Sequence, residues 1–147
     1  MTRAVNVFLL NLDPASDLGP TLEKIVESFT NLRVSLRKGS FSKTSLQDID
    51  VEAISIDFNP DAFFLVLSPA HLGNLGPLVS FISERLSDRR VMLIVEESEP
   101  EKLAELARLH GVEFMTPPLN AAEVLARLVR LLDMPVPIPL VRQPPFM

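Results

Sequence analysis

The apolar positions of this 147-residue chain change their period repeatedly, and each change predicts a new element. Residues 4–12 (AVNVFLLNL) form a short apolar run closed by Asp13-Pro14, the pattern of a strand followed by a turn. Leu18, Leu22, Ile25, Val26 and Phe29 then recur on one helical face, with Pro20 tolerated in the first turn. Leu32 to Leu36 alternates and predicts a short second strand, followed by a polar loop over 38–45. The stretch 46–59 carries two periods. Leu46, Ile49 and Ala53 suit a helix, whereas Ile54, Ile56 and Phe58 alternate as a strand would. A short or irregular helix is the expectation there, ended by Asn59-Pro60. Asp61 to Leu67 (DAFFLVL) is the most apolar run and predicts a central strand. After a loop over 68–76, Leu78, Val79, Ile82 and Leu86 mark a third helix with Pro77 near its start.

From Arg90 to Leu132 the chain reads strand, helix, strand, helix. Ser98 and Glu101 form a capping box ahead of Leu103, Leu106 and Ala107, and Gly111 after His110 suits a helix end. Asn120 and Glu123 form a similar start for a last helix with Val124, Leu125, Leu128, Val129 and Leu132 on its apolar face. Strand and helix thus alternate about five times, which predicts an α/β domain over 1–132 with an open parallel sheet covered on both faces. Residues 133–147 (DMPVPIPLVRQPPFM) hold five of the 13 prolines and cannot continue a helix. They read either as a disordered tail or as a Pro-rich linker or arm to a downstream domain, with Pro-Pro-Phe-Met as a boundary inside a longer protein.

Composition narrows the classes of function. The 47% hydrophobic content and mean hydropathy of +0.25 fit a sheet buried on both faces. No apolar run reaches the roughly 18 residues of a membrane span. The first apolar run is short, interrupted by Asn6 and Asn11, and lacks a small-residue cleavage site, so it reads as a strand, and a cytoplasmic location is expected. Cysteine is absent and the two histidines have no paired spacing, so neither a disulfide framework nor a metal site is expected. A net charge of −5 without a basic face argues against direct nucleic-acid binding. The cluster Arg85, Arg89 and Arg90 reads as a solvated helix end. Phosphate-binding glycine loops and a Gly-x-Ser-x-Gly turn are both missing, so no cofactor and no catalytic residue are expected.

The order and spacing of the second half, with Thr116-Pro117-Pro118 followed by Ala122-Glu123-Val124-Leu125-Ala126-Arg127, resemble a response-regulator receiver domain. That family ends its last strand in Lys-Pro before a helix of the type EELLAR. The resemblance implies a flavodoxin-like three-layer α/β/α fold with about five parallel strands. It also implies a cis peptide before Pro118, the residue that matches the family proline.

The same resemblance implies that the receiver's chemistry has been lost. Pro60-Asp61-Ala62-Phe63-Phe64-Leu65-Val66 aligns with the strand that carries the phosphoacceptor aspartate, and Val66 occupies the acceptor position. A valine offers no nucleophilic oxygen. Asn11 and Leu12 stand where the family has its magnesium-binding acids, and Asp13 reads as a turn residue. Val95 replaces the switch hydroxyl, Phe114 the switch aromatic and Pro117 the lysine. These substitutions together imply a non-catalytic pseudo-receiver that signals by protein–protein interaction or dimerisation, without aspartyl phosphorylation.

Two further readings stand beside it. Residues 61–72, ending Leu67-Ser68-Pro69-Ala70-His71-Leu72, resemble the middle of a TIR domain, which would imply an assembly role; the acid expected for NAD cleavage is missing from 73–80. Alternatively, Ser68, His71, Asn74 and Glu96 gather at the carboxyl ends of the strands, where open α/β folds bind ligands, and form a candidate small-molecule or anion pocket. For a partner protein or a second copy, the last two helices and last strand offer Lys102, Arg108, Glu113, Arg127 and Arg130 around an apolar patch.

Overall fold

In the computed structural model, residues 3–13, 15–30, 32–40, 46, 49–67, 75–86, 88–95, 104 and 112–133 are described. The described elements, in chain order, are β1 (Arg3–Asn11), α1 (Leu18–Glu27), β2 (Leu32–Ser40), α2 (Val51–Phe58), β3 (Ala62–Val66), α3 (Leu75–Arg85), β4 (Val91–Ile94), β5 (Val112–Met115) and α4 (Ala121–Asp133). The helix expected over 98–110 and the arm over 134–147 lie outside the described residues. All four strand pairings are parallel, in the order β2-β1-β3-β4-β5. That order is doubly wound, with the direction of winding reversing between β1 and β3. No described helix is long and apolar enough to cross a membrane.

Side-chain alternation on the strands builds two cores, one on each face of the sheet. Phe8, Leu10, Phe63, Leu65, Leu93 and Val95 pack with Leu78, Phe81 and Ile82 of α3 and with Val51 of α2. Val7, Leu9, Phe64, Val66 and Ile94 pack instead with Leu22 and Val26 of α1 and with Val124, Leu128 and Leu131 of α4. Strand β3 is buried at every position, as a central strand between two helical layers must be. Each buried Leu, Val or Phe contributes about 1.5–3 kcal/mol relative to an exposed one.

The helix and strand signals that fall on the described residues are met, with differences in β2, α3 and α4. Strand β2 runs to Ser40, past the expected end at Leu36, and pairs with β1 over its whole length. An edge strand needs only one satisfied side, so its polar residues can remain exposed; Arg37 pairs with Asp57, and Lys38 with Glu23 at 3.1 Å. The ambiguous stretch resolves as α2. Asp50 caps it by accepting from the Ala53 amide at 3.0 Å, and Asn59 ends it in the left-handed region at φ 51°. The alternation of Ile54, Ile56 and Phe58 is a helical effect: Ile54 and Phe58 pack inward, and Ile56 points out. Helix α3 starts at Leu75, inside the expected loop, with Pro77 in its first turn. In α4 the Glu123 amide donates to Asn120 Oδ1 at 2.8 Å, as the capping pattern predicts. Its buried stripe is Val124, Leu128, Leu131 and Leu132, whereas Val129 is 38% exposed. The 3.6-residue period rotates Val129 off the face that meets the sheet.

Candidate functional site

The winding reverses between β1 and β3, and the carboxyl ends of strands at such a reversal are the usual ligand position in open α/β sheets. Asn11 ends β1 and lies in register with Val66, which ends β3; Val66 in turn lies beside Ile94 of β4. The Leu12 amide donates to the Val66 carbonyl at 3.0 Å, and the Leu67 amide to the Ile94 carbonyl at 3.1 Å. Val95 donates from its amide to the Met115 carbonyl at 2.9 Å, tying this edge to β5. The structure thus brings Asn11, Leu12, Val66 and Val95 to one end of the sheet. Val66 and Val95 are fully buried, and Leu12 nearly so.

Asn11 is the one polar residue buried among the described residues. Its Oδ1 accepts from the Asp13 amide at 3.1 Å, which fixes the turn out of β1. Its Nδ2 faces Gly19 so closely that a Cβ on Gly19 would stand 2.5 Å from it. The absence of a side chain at Gly19 lets the first turn of α1 close over the end of β1. The Leu18 amide donates to Ser16 Oγ at 3.1 Å, so this hydroxyl satisfies a free amide at the helix start.

Outside this packed edge lies a shallow depression of about 420 Å³, lined by Asp13, Ala15, Ser16, Asp17, Leu18 and Pro117. Pro117 is half-buried, and the Pro117-Pro118 peptide is cis, as the receiver resemblance implied. Among the described residues no group of three His, Cys, Asp or Glu side chains is placed to hold a metal ion. Phe114 is not at the crevice. It packs, half-buried, in the core on the α2–α3 face.

Glu113 of β5 faces α4 with its side chain 13% exposed. Arg127 Nη1 lies 3.6 Å from Glu113 and Arg130 Nε 3.8 Å from it, and Arg127 Nε lies 3.5 Å from Glu123 one helical turn earlier. The expected interface charges on this face are therefore engaged within the chain. Arg130, with its side chain 73% exposed, is the most available of them. Ala122, Ala126 and Val129 form an exposed stripe beside these ion pairs. Ser68, His71, Asn74 and Glu96, the residues of the candidate ligand pocket, lie outside the described residues, as do Lys102, Arg108 and the TIR-like motif beyond Leu67. The contact of Gly19 with Asn11 and the pairing of Glu123 with Arg127 are not among the sequence expectations. The Glu123–Arg127 pair was available from its i, i+4 spacing, whereas nothing in the local sequence marks Gly19 as the neighbour of Asn11.

No protein-family model matches the chain, and no curated protein matches it significantly. Solved structures do. A CheY-like response regulator protein from Mesorhizobium loti superposes with a TM-score of 0.63 at 16% identity, covering 89% of this chain and 99% of its own. The fold is that of a CheY-like receiver domain. A second receiver-type structure, the CheY-like protein tadZ from Pseudomonas aeruginosa PAO1, gives a TM-score of 0.60 at 19% identity, covering 86% of this chain and 98% of its own. A candidate pilus assembly-related protein from Burkholderia pseudomallei gives 0.56 at 17% identity, covering 87% and 89%. At these identities the likeness is one of receiver architecture, and what the crevice does has to be argued from its own residues.

Proposed function

We propose that the chain is a pseudo-receiver, a non-catalytic signalling domain that works through protein–protein contact and not through aspartyl phosphorylation. The observation that supports this most is the burial of Val66. In the receiver alignment it takes the acceptor position, and it is fully buried between Asn11 and Ile94. Transfer of a phosphoryl group needs an oxygen nucleophile at which a metal and a phosphodonor can meet. This edge has an aliphatic side chain inside packed core, with Leu12 and Val95 beside it. Pro117, in the lysine position, brings no cation to the depression.

The contact face is β5 with α4. The exposed Ala122, Ala126 and Val129 give an apolar stripe, and Arg130 gives an outward charge beside it. A partner protein or a second copy would bury the stripe, and apolar burial would supply most of the affinity because each exposed ion pair adds only about 0–1 kcal/mol. Residues 134–147, past the end of α4, act as a linker or arm to a further domain. The domain works in the cytoplasm without cofactor, metal or direct nucleic-acid contact. The similarity to a candidate pilus assembly-related protein suits a module that docks components of a larger apparatus.

The test is incubation of the full chain with acetyl phosphate and magnesium, followed by intact-mass spectrometry and size-exclusion chromatography with light scattering. The expected outcome is no phosphoryl adduct and an unchanged molecular mass in solution. An acid-stable-to-base-labile adduct mapped to an aspartate, or a phosphodonor-dependent change of size, overturns the reading.

A further inference from the structure

The outer crest of α2 presents an apolar residue with nothing covering it. Ile56 is 86% exposed, the most exposed large hydrophobic among the described residues. A single exposed isoleucine is ordinary in itself. Its surroundings are what give it meaning. Ala53, one helical turn earlier, is also exposed and extends the apolar crest, with Glu52 and Asp57 on its two sides.

The two flanks of this crest differ. Toward β2 the charges are closed by internal partners: Arg37 pairs with Asp57 and lies 4.7 Å over the Phe58 ring. Toward α3 a cleft of about 340 Å³ is lined by Asp50, Glu52, Ser55, Glu84, Arg85 and Asp88, among others. Its cations are already engaged within the chain. Arg85 Nη1 donates to the Ile49 carbonyl at 3.3 Å, and Arg89 lies 3.7 Å from Asp88. Glu52 and Glu84 have no ion-pair or hydrogen-bond partner among the described residues, and both are exposed. Ser55 Oγ is buried in the helix flank with no hydrogen-bond partner. The crest thus couples an apolar anchor point to free carboxylates on one side.

From this geometry we propose that α2 is a docking site for a cationic amphipathic segment of a partner protein, with an apolar side chain seated on Ile56 and Ala53 and Lys or Arg side chains reaching Glu52 and Glu84. Burial of Ile56 supplies affinity, and the free carboxylates select the sign of the partner. The site lies across the sheet from α4, so it is a second surface. The proposal deepens the reading of the chain as an interaction module and rests on it.

The test uses the isotopically labelled full chain and two synthetic peptides of one amphipathic pattern, one built of Leu and Lys and the other of Leu and Glu. Nuclear magnetic resonance titration with the Leu–Lys peptide is expected to shift the amides of Glu52, Ala53, Ile56 and Glu84, and added salt to weaken the binding. Ile56→Glu, and separately Glu52→Lys with Glu84→Lys, each weaken it by about tenfold, while Ile56→Leu binds like the parent chain. Ile56→Ala adds no charge and gives a loss in the same direction, which guards against a folding artefact. Equal binding of the Leu–Glu peptide, shifts confined to α4, or an affinity indifferent to Ile56→Glu overturns the proposal. So does a dimer that Ile56→Glu dissolves, because the occupant would then be a second copy. Phosphoryl uptake in the acetyl phosphate experiment would sink the pseudo-receiver reading by a separate measurement and leave the peptide result standing.

Discussion

Placing an acid at position 66 would test how closed the crevice is. Val66 is fully buried, with Asn11 and Ile94 in register on either side and α1 and α4 side chains packed over it. Val66→Asp removes a buried aliphatic side chain, at about 1.5–3 kcal/mol, and adds a carboxylate with no cation beside it. Comparison with Val66→Asn separates these costs, because Asn has nearly the same shape and no charge. Stranding an uncompensated charge inside a protein costs about 3–5 kcal/mol. Burial raises the carboxyl's folded-state pKa, so the folded protein holds its proton to higher pH than the unfolded chain does. Stability is therefore least affected below about pH 4, the ordinary Asp value, and falls as pH rises above it. Urea denaturation at pH 4 and pH 7.5 measures the effect. Val66→Asn is expected to show little change between the two conditions beyond that of the parent chain. Val66→Asp should lose about 2 kcal/mol or more between them. If Val66→Asp and Val66→Asn match at both pH values, the carboxylate reaches water, and the argument that this edge is sealed fails.

Three further outcomes follow from single contacts. Gly19→Ala drives a Cβ toward Asn11 Nδ2 and should destabilise by about 1–2 kcal/mol; in an Asn11→Ala background the same change should become neutral or stabilising by up to about 1 kcal/mol, since Ala is the better helix former. Denaturant melts of the four proteins check this, and equal effects in both backgrounds would mean that the two residues do not touch. Arg127→Glu sets a third carboxylate against Glu113 and Glu123 and should lower stability by about 0.5–1 kcal/mol, whereas Arg130→Glu at an outward position should change it by less than about 0.5 kcal/mol. Arg130→Glu and Val129→Glu are accordingly the cleaner probes of a contact through α4, read by light scattering. Asp50→Ala removes the oxygen that receives the Ala53 amide and should cost about 1 kcal/mol, visible as a lowered melting temperature.

Fold class and the order of the described elements are legible in the sequence because each leaves a local mark: apolar runs for buried parallel strands and a 3.6-residue stripe for helices; the cis Pro117-Pro118 peptide follows only from the receiver resemblance. Strand β2 was read too short for a physical reason. Its final residues are held by backbone pairing to β1, and an edge strand carries Arg37 and Lys38 without penalty. The second helix was blurred because Ile56 mimicked strand alternation while facing solvent. Asn11, Leu12, Val66 and Val95 lie together at one end of the sheet, while Phe114 packs on the α2–α3 face. The contact between Asn11 and Gly19 was invisible, since it depends on how α1 lies against the end of β1. The intramolecular capture of Arg127 needed the register of β5 against α4.

On the proposed reading, the residues at the crevice trade chemistry for packing. A phosphorylatable edge must keep several carboxylates close together and near water, an arrangement of mutually repelling, partly desolvated charges that opposes folding. Here Leu12, Val66 and Val95 turn the same edge into core, and Asn11 keeps a polar side chain whose hydrogen bond organises the turn at Asp13. Those aliphatic side chains each contribute about 1.5–3 kcal/mol, so the edge is a source of stability. One acid at Val66 would consequently weaken the fold, with Asn11 and Leu12 adding no carboxylate beside it and Pro117 no cation. On the proposed reading, packing holds this end of the sheet, and partner contact falls to the outward faces of α2 and α4. These lie on opposite layers with the sheet between them, far enough apart that surface substitutions on one are expected to leave binding at the other unchanged.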